Sequence, residues 1–204
     1  MGITIHYSFT LKKAASLTGL VNEVADICRS LEWKFDIINQ PMIDAFSNFD
    51  NSKIRFTEDD IAGILFSPHE HSESVQLTFL PNGRTSTITN IKFSDYTADN
   101  ELLYWAFTKT QFGGPGTHIA IVKLLKYLST KYFSKTEVED EGGYWETGNE
   151  EVLKEKIDFF DKAITVVEEM FSNLETFKNE SVESLAARLQ AILKEKLKGF
   201  NNGQ

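Results

Sequence analysis

The chain has 204 residues, of which 41% are apolar and 25% are charged, and these proportions are ordinary for a globular protein. A chain of this length can form one domain, or one domain with an appendage, and can bury a sizeable core. Its formal net charge of -9 argues against general nucleic-acid binding, which needs a basic surface.

The N-terminus and the cysteine content indicate a cellular compartment. Met1 is followed by neither a basic region nor a long apolar run, so we expect no signal peptide. The single cysteine, Cys28, cannot form a disulfide within the chain, which suits a reducing compartment. No segment approaches the roughly 18 unbroken apolar residues that a membrane span requires. We therefore expect a soluble cytoplasmic protein with no membrane partner.

Alternation and helical spacing predict the first three elements. Apolar and polar residues alternate over residues 3–9, which is typical of a half-buried strand. Apolar residues then recur at helical spacing from Leu17 to Leu31, and this stripe buries Cys28 as an inert thiol. Residues 33–37 alternate again. Together these segments predict a β–α–β unit with a right-handed crossover.

The middle of the chain reads mainly as strands and turns. Residues 39–60 are irregular, and we expect a surface loop or a short excursion there. The dipeptide Asn82-Gly83 is one of the strongest short-range hairpin signals. Strands are predicted over 61–66, 75–79, 85–93 and 102–111.

Three glycines and a proline at 113–116 end the last of these strands. Thr117 is the predicted N-cap of an amphipathic helix over 117–133. Unpaired N–H groups and the positive end of a helix dipole form an anion site, so this corner predicts a site for a small anionic ligand. The alternative is a turn in which glycine supplies a positive φ, since the spacing fits no phosphate-binding fingerprint. The predicted ligand-binding residues are Gly113, Gly114, Gly116, Thr117 and His118.

The loop 142–148 holds a Tyr-Trp pair between glycines. Trp145 is either a staple under the following helix or part of an exposed ligand platform, because aromatic side chains dominate both cores and binding sites. Glu146 is the acid that would act if the loop lines a pocket, and both residues join the predicted ligand site. Thr147 and Glu150 fit a capping box that starts a long helix.

That helix carries an apolar seam at alternating steps of four and three, and a second stripe follows it. The seam is formed by Leu153, Ile157, Phe160, Ile164, Val167, Phe171 and Leu174, and the second stripe by Val182, Leu185, Leu189 and Ile192. We predict an antiparallel helical hairpin over 149–200, packed on a sheet domain over 1–148. The alternative is a homodimer through the C-terminal helices.

Two histidines flank a glutamate after Pro68 and suggest a metal site. In extended backbone His69 and His71 share a face, and His6 supplies a third imidazole, with His118 as another candidate. Three ligands of this type suit zinc with an open position. The alternative is a pair of solvent-exposed histidines in a polar loop.

Polar residues also recur at alternate positions of several predicted strands. They are Thr4, His6 and Ser8, then Gln76 and Thr78, and finally Thr108 and Thr110. If helices cover one face of the sheet, these side chains line the other face. Such a neutral face suits contact with a protein or a small ligand, and the alternatives are ordinary solvent exposure or cover by the C-terminal helices.

The segments Gly2-Ile-Thr-Ile-His-Tyr7 and Glu141-Gly-Gly-Tyr-Trp-Glu-Thr-Gly148 resemble a group of uncharacterised bacterial proteins. The resemblance covers roughly residues 1–165. It implies a bacterial cytoplasmic origin and brings no activity, cofactor or catalytic residue with it.

These patterns predict an α+β fold: a mixed or mainly antiparallel sheet of about six strands with helices packed on it, and a C-terminal helical hairpin. Ferredoxin-like topology is the nearest analogy. The predicted function is a non-enzymatic binding module for a partner protein or a small ligand. The alternative is a metal-assisted hydrolase that uses the histidines and the Gly113–Thr117 corner.

Overall fold

The structure, a computed structural model, describes residues 2–93 and 95–172 together with residues 184, 187, 190 and 191. It divides the chain into two compact units, the first being Gly2–Leu153 and the second beginning at Lys154. The predicted second helical stripe from Val182 to Ile192 lies largely outside the described residues, as does Leu174 of the seam. The helical hairpin and the homodimer seam therefore stay predictions.

Six strands and six helices make up the described regular structure, together with three short 3-10 turns. The strands are β1 Thr4–Leu11, β2 Lys34–Ile38, β3 Ala62–Ser67, β4 Val75–Phe79, β5 Ala106–Lys109 and β6 Phe133–Asp140. The helices are α1 Ser16–Ser30, α2 Gln40–Ala45, α3 Ile88–Phe93, α4 Gly114–Tyr132, α5 Tyr144–Thr147 and α6 Glu150–Ser172. The predicted α+β class with about six strands is confirmed.

The strands form two antiparallel sheets of three, in the orders β5-β1-β6 and β2-β3-β4. The predicted β–α–β unit is wrong, because β1 and β2 lie in different sheets. Both edges of β1 are occupied by antiparallel partners: Ile5 pairs with Thr108 on β5 and with Asp140 on β6. A parallel neighbour therefore has no free edge of β1 to join.

The central strand β1 buries its apolar face and ties the two sheets together. Ile3, Ile5, Tyr7 and Phe9 are all at most 1% exposed. The hydroxyl of Tyr7 accepts a hydrogen bond from the backbone N–H of Gln76 on β4 at 2.9 Å. Burial raises the pKa of Tyr7 to about 12, so the phenol stays protonated in this joint.

Helix α1 follows its predicted apolar stripe. Leu17, Leu20, Val21, Val24 and Cys28 are buried. Burial raises the pKa of Cys28 to about 11, which fits the predicted inert thiol. Leu31 is the exception to the stripe, because it follows the last helical turn and is 52% exposed.

The segment after the Asn82-Gly83 turn is a helix and not the predicted return strand. The turn itself forms, with the N–H of Gly83 donating to Leu80 O at 2.8 Å. Beyond it only single bridges to Arg84 and Thr85 form, and α3 begins at Ile88. Ile88 and Ile91, one helical turn apart, pack on the buried side chains of Ile61, Leu80, Leu103 and Tyr104.

Two predicted helix starts are also corrected. Thr117 lies inside the first turn of α4, where its hydroxyl donates to Gly113 O at 2.7 Å, and Gly113 occupies the N-cap position. The helix begins earlier than predicted because proline fits its first turn, where the missing N–H is not needed. At α6 the side chain of Asn149 accepts the N–H of Glu151 at 2.9 Å, in place of the predicted Thr147–Glu150 box.

Candidate functional site

The glycine corner lies where the sequence predicts it, between the end of β5 and the start of α4. A 3-10 turn over Gln111–Gly113 joins the two elements, and Gly114 adopts a φ of +77°. A Cβ at Gly114 or Gly116 would meet nothing within 4 Å, so open space surrounds this backbone. Gly114 thus supplies the positive φ of the turn, which is the alternative that the sequence offered to an anion site.

His118 is buried beneath this corner and does not reach the surface. Its side chain is 0% exposed, and its two ring nitrogens have partners just after β5 and at the end of β6. Nδ1 lies 2.7 Å from the hydroxyl of Thr110, and Nε2 lies 3.1 Å from the carboxylate of Asp140. The predicted role of His118 as a proton donor to an external anion does not fit this placement.

Asp140 organises the loop that follows β6. Its carboxylate accepts the N–H of Gly142 at 2.7 Å and the N–H of Trp145 at 2.8 Å, in addition to its contact with His118. Burial raises the pKa of Asp140, but the hydrogen bonds from His118 and from these N–H groups outweigh it and hold the pKa below its ordinary range. The carboxylate is therefore the charged anchor of the loop.

The loop backbone packs directly against the imidazole. A Cβ at Gly142 would lie 2.9 Å from Nε2 of His118 and 2.6 Å from Cδ1 of Leu153, so only glycine fits without rearrangement. Tyr144 is buried and Trp145 is half-buried, with Nζ of Lys126 on α4 lying 5.3 Å from the Trp145 ring centre. The loop is thus seated on α4.

Thr110, His118 and Asp140 form a hydroxyl–imidazole–carboxylate series of the kind used in nucleophilic catalysis. All three side chains are 0% exposed, so no substrate carbonyl can approach the hydroxyl in this structure. The hydroxyl also bonds Ile3 O at 3.3 Å, which fixes it to β1. The three side chains link the end of β5, helix α4 and the end of β6, so their hydrogen bonds hold these elements together.

The predicted metal ligands are not brought together. The His69 and His71 rings are neighbours, with centroids 5.4 Å apart, whereas His6 lies on β1 with Nε2 3.9 Å from Glu141. Within residues 2–93 and 95–172 no group of three His, Cys, Asp or Glu side chains is arranged to hold a metal ion. Glu146, the predicted acid of the 142–148 loop, is exposed.

A groove of about 600 Å³ lies between α1 and the C-terminal end of α4. Its charged centre is Glu23, whose carboxylate accepts hydrogen bonds from Lys131, Tyr127 and Tyr132. Burial opposes ionisation, but these bonds and the charge of Lys131 lower the pKa of Glu23 to about 2. Glu23 is therefore already satisfied by groups of the protein, and a ligand that binds this carboxylate would have to displace them.

The outer side of sheet β5-β1-β6 is different, because it exposes aromatic side chains. Phe107 on β5 is 52% exposed. Phe112, in the 3-10 turn that follows the strand, is 54% exposed, and Nζ of Lys109 lies 5.0 Å from its ring centre. Phe107 is paired across the sheet with His6, whose ring centre lies 6.1 Å away. We call this surface the aromatic face, defined by Thr4, His6, Phe107, Lys109, Phe112 and Glu139.

The side chains of β5 face the opposite way from the prediction. Thr108 and Thr110, predicted to line a polar face, are buried on the side of Ile5 and Ile3. Thr108 satisfies its hydroxyl with Ser74 O at 3.3 Å. Because side chains alternate along a strand, this orientation leaves Phe107 facing solvent. Ser8 and Thr78, also predicted for the polar face, are buried as well.

Comparison of this chain with protein-family models, with curated proteins and with solved structures gives no match. None of the helices in the described part of the chain combines the length and apolar character that crossing a membrane requires. The function proposed below therefore rests on the chemistry of the described surfaces.

Proposed function

We propose that this chain is a cytoplasmic binding protein without catalytic activity, and that it engages a partner protein through the aromatic face. The observation that supports this proposal best is the exposure of Phe107 and Phe112, which lie five positions apart and are each more than half exposed. Exposed aromatic groups rimmed by polar residues are typical of protein interaction sites.

The inverted pattern of β5 supports a functional reason for this exposure. Folding alone favours burial of Phe107 and exposure of Thr108, since burying a threonine hydroxyl needs a dedicated hydrogen-bond partner. The protein instead supplies partners for Thr108 and Thr110 inside and presents the phenylalanine outside. Departures from local folding preference of this kind are expected at functional sites.

The shape of the surface favours a protein over a small molecule. Small-molecule sites are usually concave and enclose most of the ligand surface. The aromatic face is the side of a three-stranded sheet, and a protein partner can cover such a surface with an apolar centre and a polar rim. Thr4, His6 and Lys109 provide polar groups beside the phenylalanines.

The buried state of Thr110, His118 and Asp140 supports the non-enzymatic part of the proposal. These residues form the most catalysis-like arrangement in the described chain, and each has a structural task in joining the elements around the 141–148 loop. A metal-assisted hydrolase finds no support in the placement of His6, His69 and His71.

The proposal is tested by changing both phenylalanines to serine in the full-length protein. We expect the double variant Phe107→Ser/Phe112→Ser to fold normally and to bind its partner at least about 30-fold more weakly, since a central aromatic contact contributes about 2 kcal/mol or more. Immobilised wild type would capture the partner from an extract of the cells of origin, and mass spectrometry would identify it. Binding of the purified partner to each variant then gives the affinities.

Leu31→Ser is the matched control, because Leu31 is 52% exposed and lies at the end of α1 and not on the aromatic face. It should bind as wild type does. Equal affinity of the double variant and wild type for the identified partner would contradict the proposal.

A further inference from the structure

The aromatic face continues into a row of carboxylates on β6. Glu137 is paired with Ser8 and Glu139 with His6, so both acids share the outer side of the sheet with the phenylalanines. Glu141 follows the strand, and its carboxylate accepts the N–H of Thr4 at 2.8 Å. The outer side of β6 is therefore acidic.

The basic side chains on this surface offset the acids only in part. Lys135 pairs with Glu137 at 2.8 Å, and Lys109 lies two strands away beside Phe112. Glu139 occupies the middle of the row and is exposed. At β5 the exposed carboxylate of Glu73 accepts the backbone N–H of Lys109 at 2.9 Å, so acidic groups border the sheet beside β5 as well as on β6.

We propose that the partner is a protein that presents a basic segment carrying an apolar anchor, an inference that rests on the proposed function. The anchor packs on Phe107 and Phe112, and the basic residues of the segment face Glu139 and its neighbours on β6. Two strand spacings separate Phe107 from Glu139, so the anchor and the first basic group stand about 10 Å apart. That separation corresponds to about three residues of extended chain.

Charge complementarity favours this occupant over others. An acidic segment would be repelled by Glu139 and by the overall charge of -9. In a dimer with its two-fold axis parallel to β1, Phe107 of one copy would lie over Glu139 of the other, which leaves the phenylalanine against a carboxylate. With the axis across the strands, Glu139 would lie over Glu139, and in both arrangements the net charge of the two copies opposes association.

The inference is tested by selecting peptides from a random phage-displayed library on the full-length protein, with counter-selection on Phe107→Ser/Phe112→Ser. We expect the enriched peptides to combine an aromatic or aliphatic residue with arginine or lysine about three positions away. Synthetic versions should bind Glu139→Lys at least 10-fold more weakly than wild type. Their affinity should also fall between 0.05 M and 0.5 M salt, because salt screens exposed charges.

Glu70→Lys is the control, since it makes the same charge change on an exposed side chain of the His69–His71 turn. It should bind the peptides as wild type does. Peptides that need the phenylalanines but lack basic residues and ignore Glu139→Lys would overturn the basic-partner inference and leave the proposed function standing. Selection of no phenylalanine-dependent peptide would count against both. A wild-type dimer in light scattering that the double phenylalanine variant abolishes would replace the basic partner by a second copy.

Discussion

Replacing Gly63 with alanine should lower the free energy of unfolding by about 4 kcal/mol, the sum of backbone strain and overpacking in the sheet. Gly63 lies in the central strand of β2-β3-β4, where it pairs with Ile38 and Thr78 and adopts a φ of +153°. A Cβ there would lie 2.1 Å from Leu77 O and 2.7 Å from Cα of Thr78. Both contacts are with backbone, so β4 itself must move to make room.

Urea unfolding followed by circular dichroism measures this loss. Gly116→Ala is the matched control, because a Cβ at Gly116 would meet nothing within 4 Å and the residue lies in the first turn of α4. It should be neutral or stabilise the protein by up to about 1 kcal/mol, since alanine is the better helix former. Similar midpoints for Gly63→Ala and wild type would show that the β3–β4 contact is not as close as described.

Replacing Asp140 with alanine should cost about 3 kcal/mol and should loosen the 141–148 loop. The change leaves the N–H groups of Gly142 and Trp145 and the imidazole of His118 without their buried acceptor. Hydrogen exchange should therefore become faster at the amides of Gly142 and Trp145, in addition to the shift of the urea midpoint.

The pH dependence of this loss has a definite sign. The folded-state pKa of Asp140 lies below its ordinary value of 3.8, so its contribution is fully present above about pH 3.8 and is lost as the pH falls through the folded-state pKa. The difference in the free energy of unfolding between wild type and Asp140→Ala should therefore become smaller as the pH falls below about 3.8. Glu139→Ala is the control, because Glu139 faces solvent on the same strand. Unchanged amide exchange in Asp140→Ala would contradict the anchoring role.

The periodicity of apolar residues correctly predicted the strand and the helix that each bury one continuous apolar face. The alternation of β1 and the stripe of α1 each involve several consecutive apolar positions, and burial confirms both. Helix α3 has only six residues, so its sole helical signal is the three-residue spacing of Ile88 and Ile91. A single pair of apolar residues does not distinguish a helix from the strand predicted over 85–93.

Pairing between distant strands could not be predicted in this way. Alternation shows which face of a strand is buried, but not which strand lies beside it. Ile5 of β1 takes Thr108 and Asp140 as neighbours, both more than one hundred positions away. The predicted neighbour at residues 33–37 was nearer along the chain and lies in the other sheet.

The sequence predicted the position of the glycine corner, but it did not predict the aromatic face. The glycine corner lies between β5 and α4 as predicted, whereas the sequence pattern alone does not separate the buried Asp140 from the neighbouring acids Glu137 and Glu139. A local signal for Asp140 exists, because an aspartate that bonds the N–H two residues later forms an Asx turn, as it does here with Gly142. The exposure of Phe107 has no such local signal, since the strand pattern indicates the opposite orientation.

The most direct test of the central claim is photocrosslinking inside the cells of origin. A photoreactive phenylalanine analogue would replace Phe107 in one full-length variant and Leu31, which is equally exposed, in another. Our account predicts a discrete crosslinked product with a partner protein from position 107 and none from position 31. Absence of a product at position 107, or the same products from both positions, would contradict the assignment of the aromatic face as a binding surface.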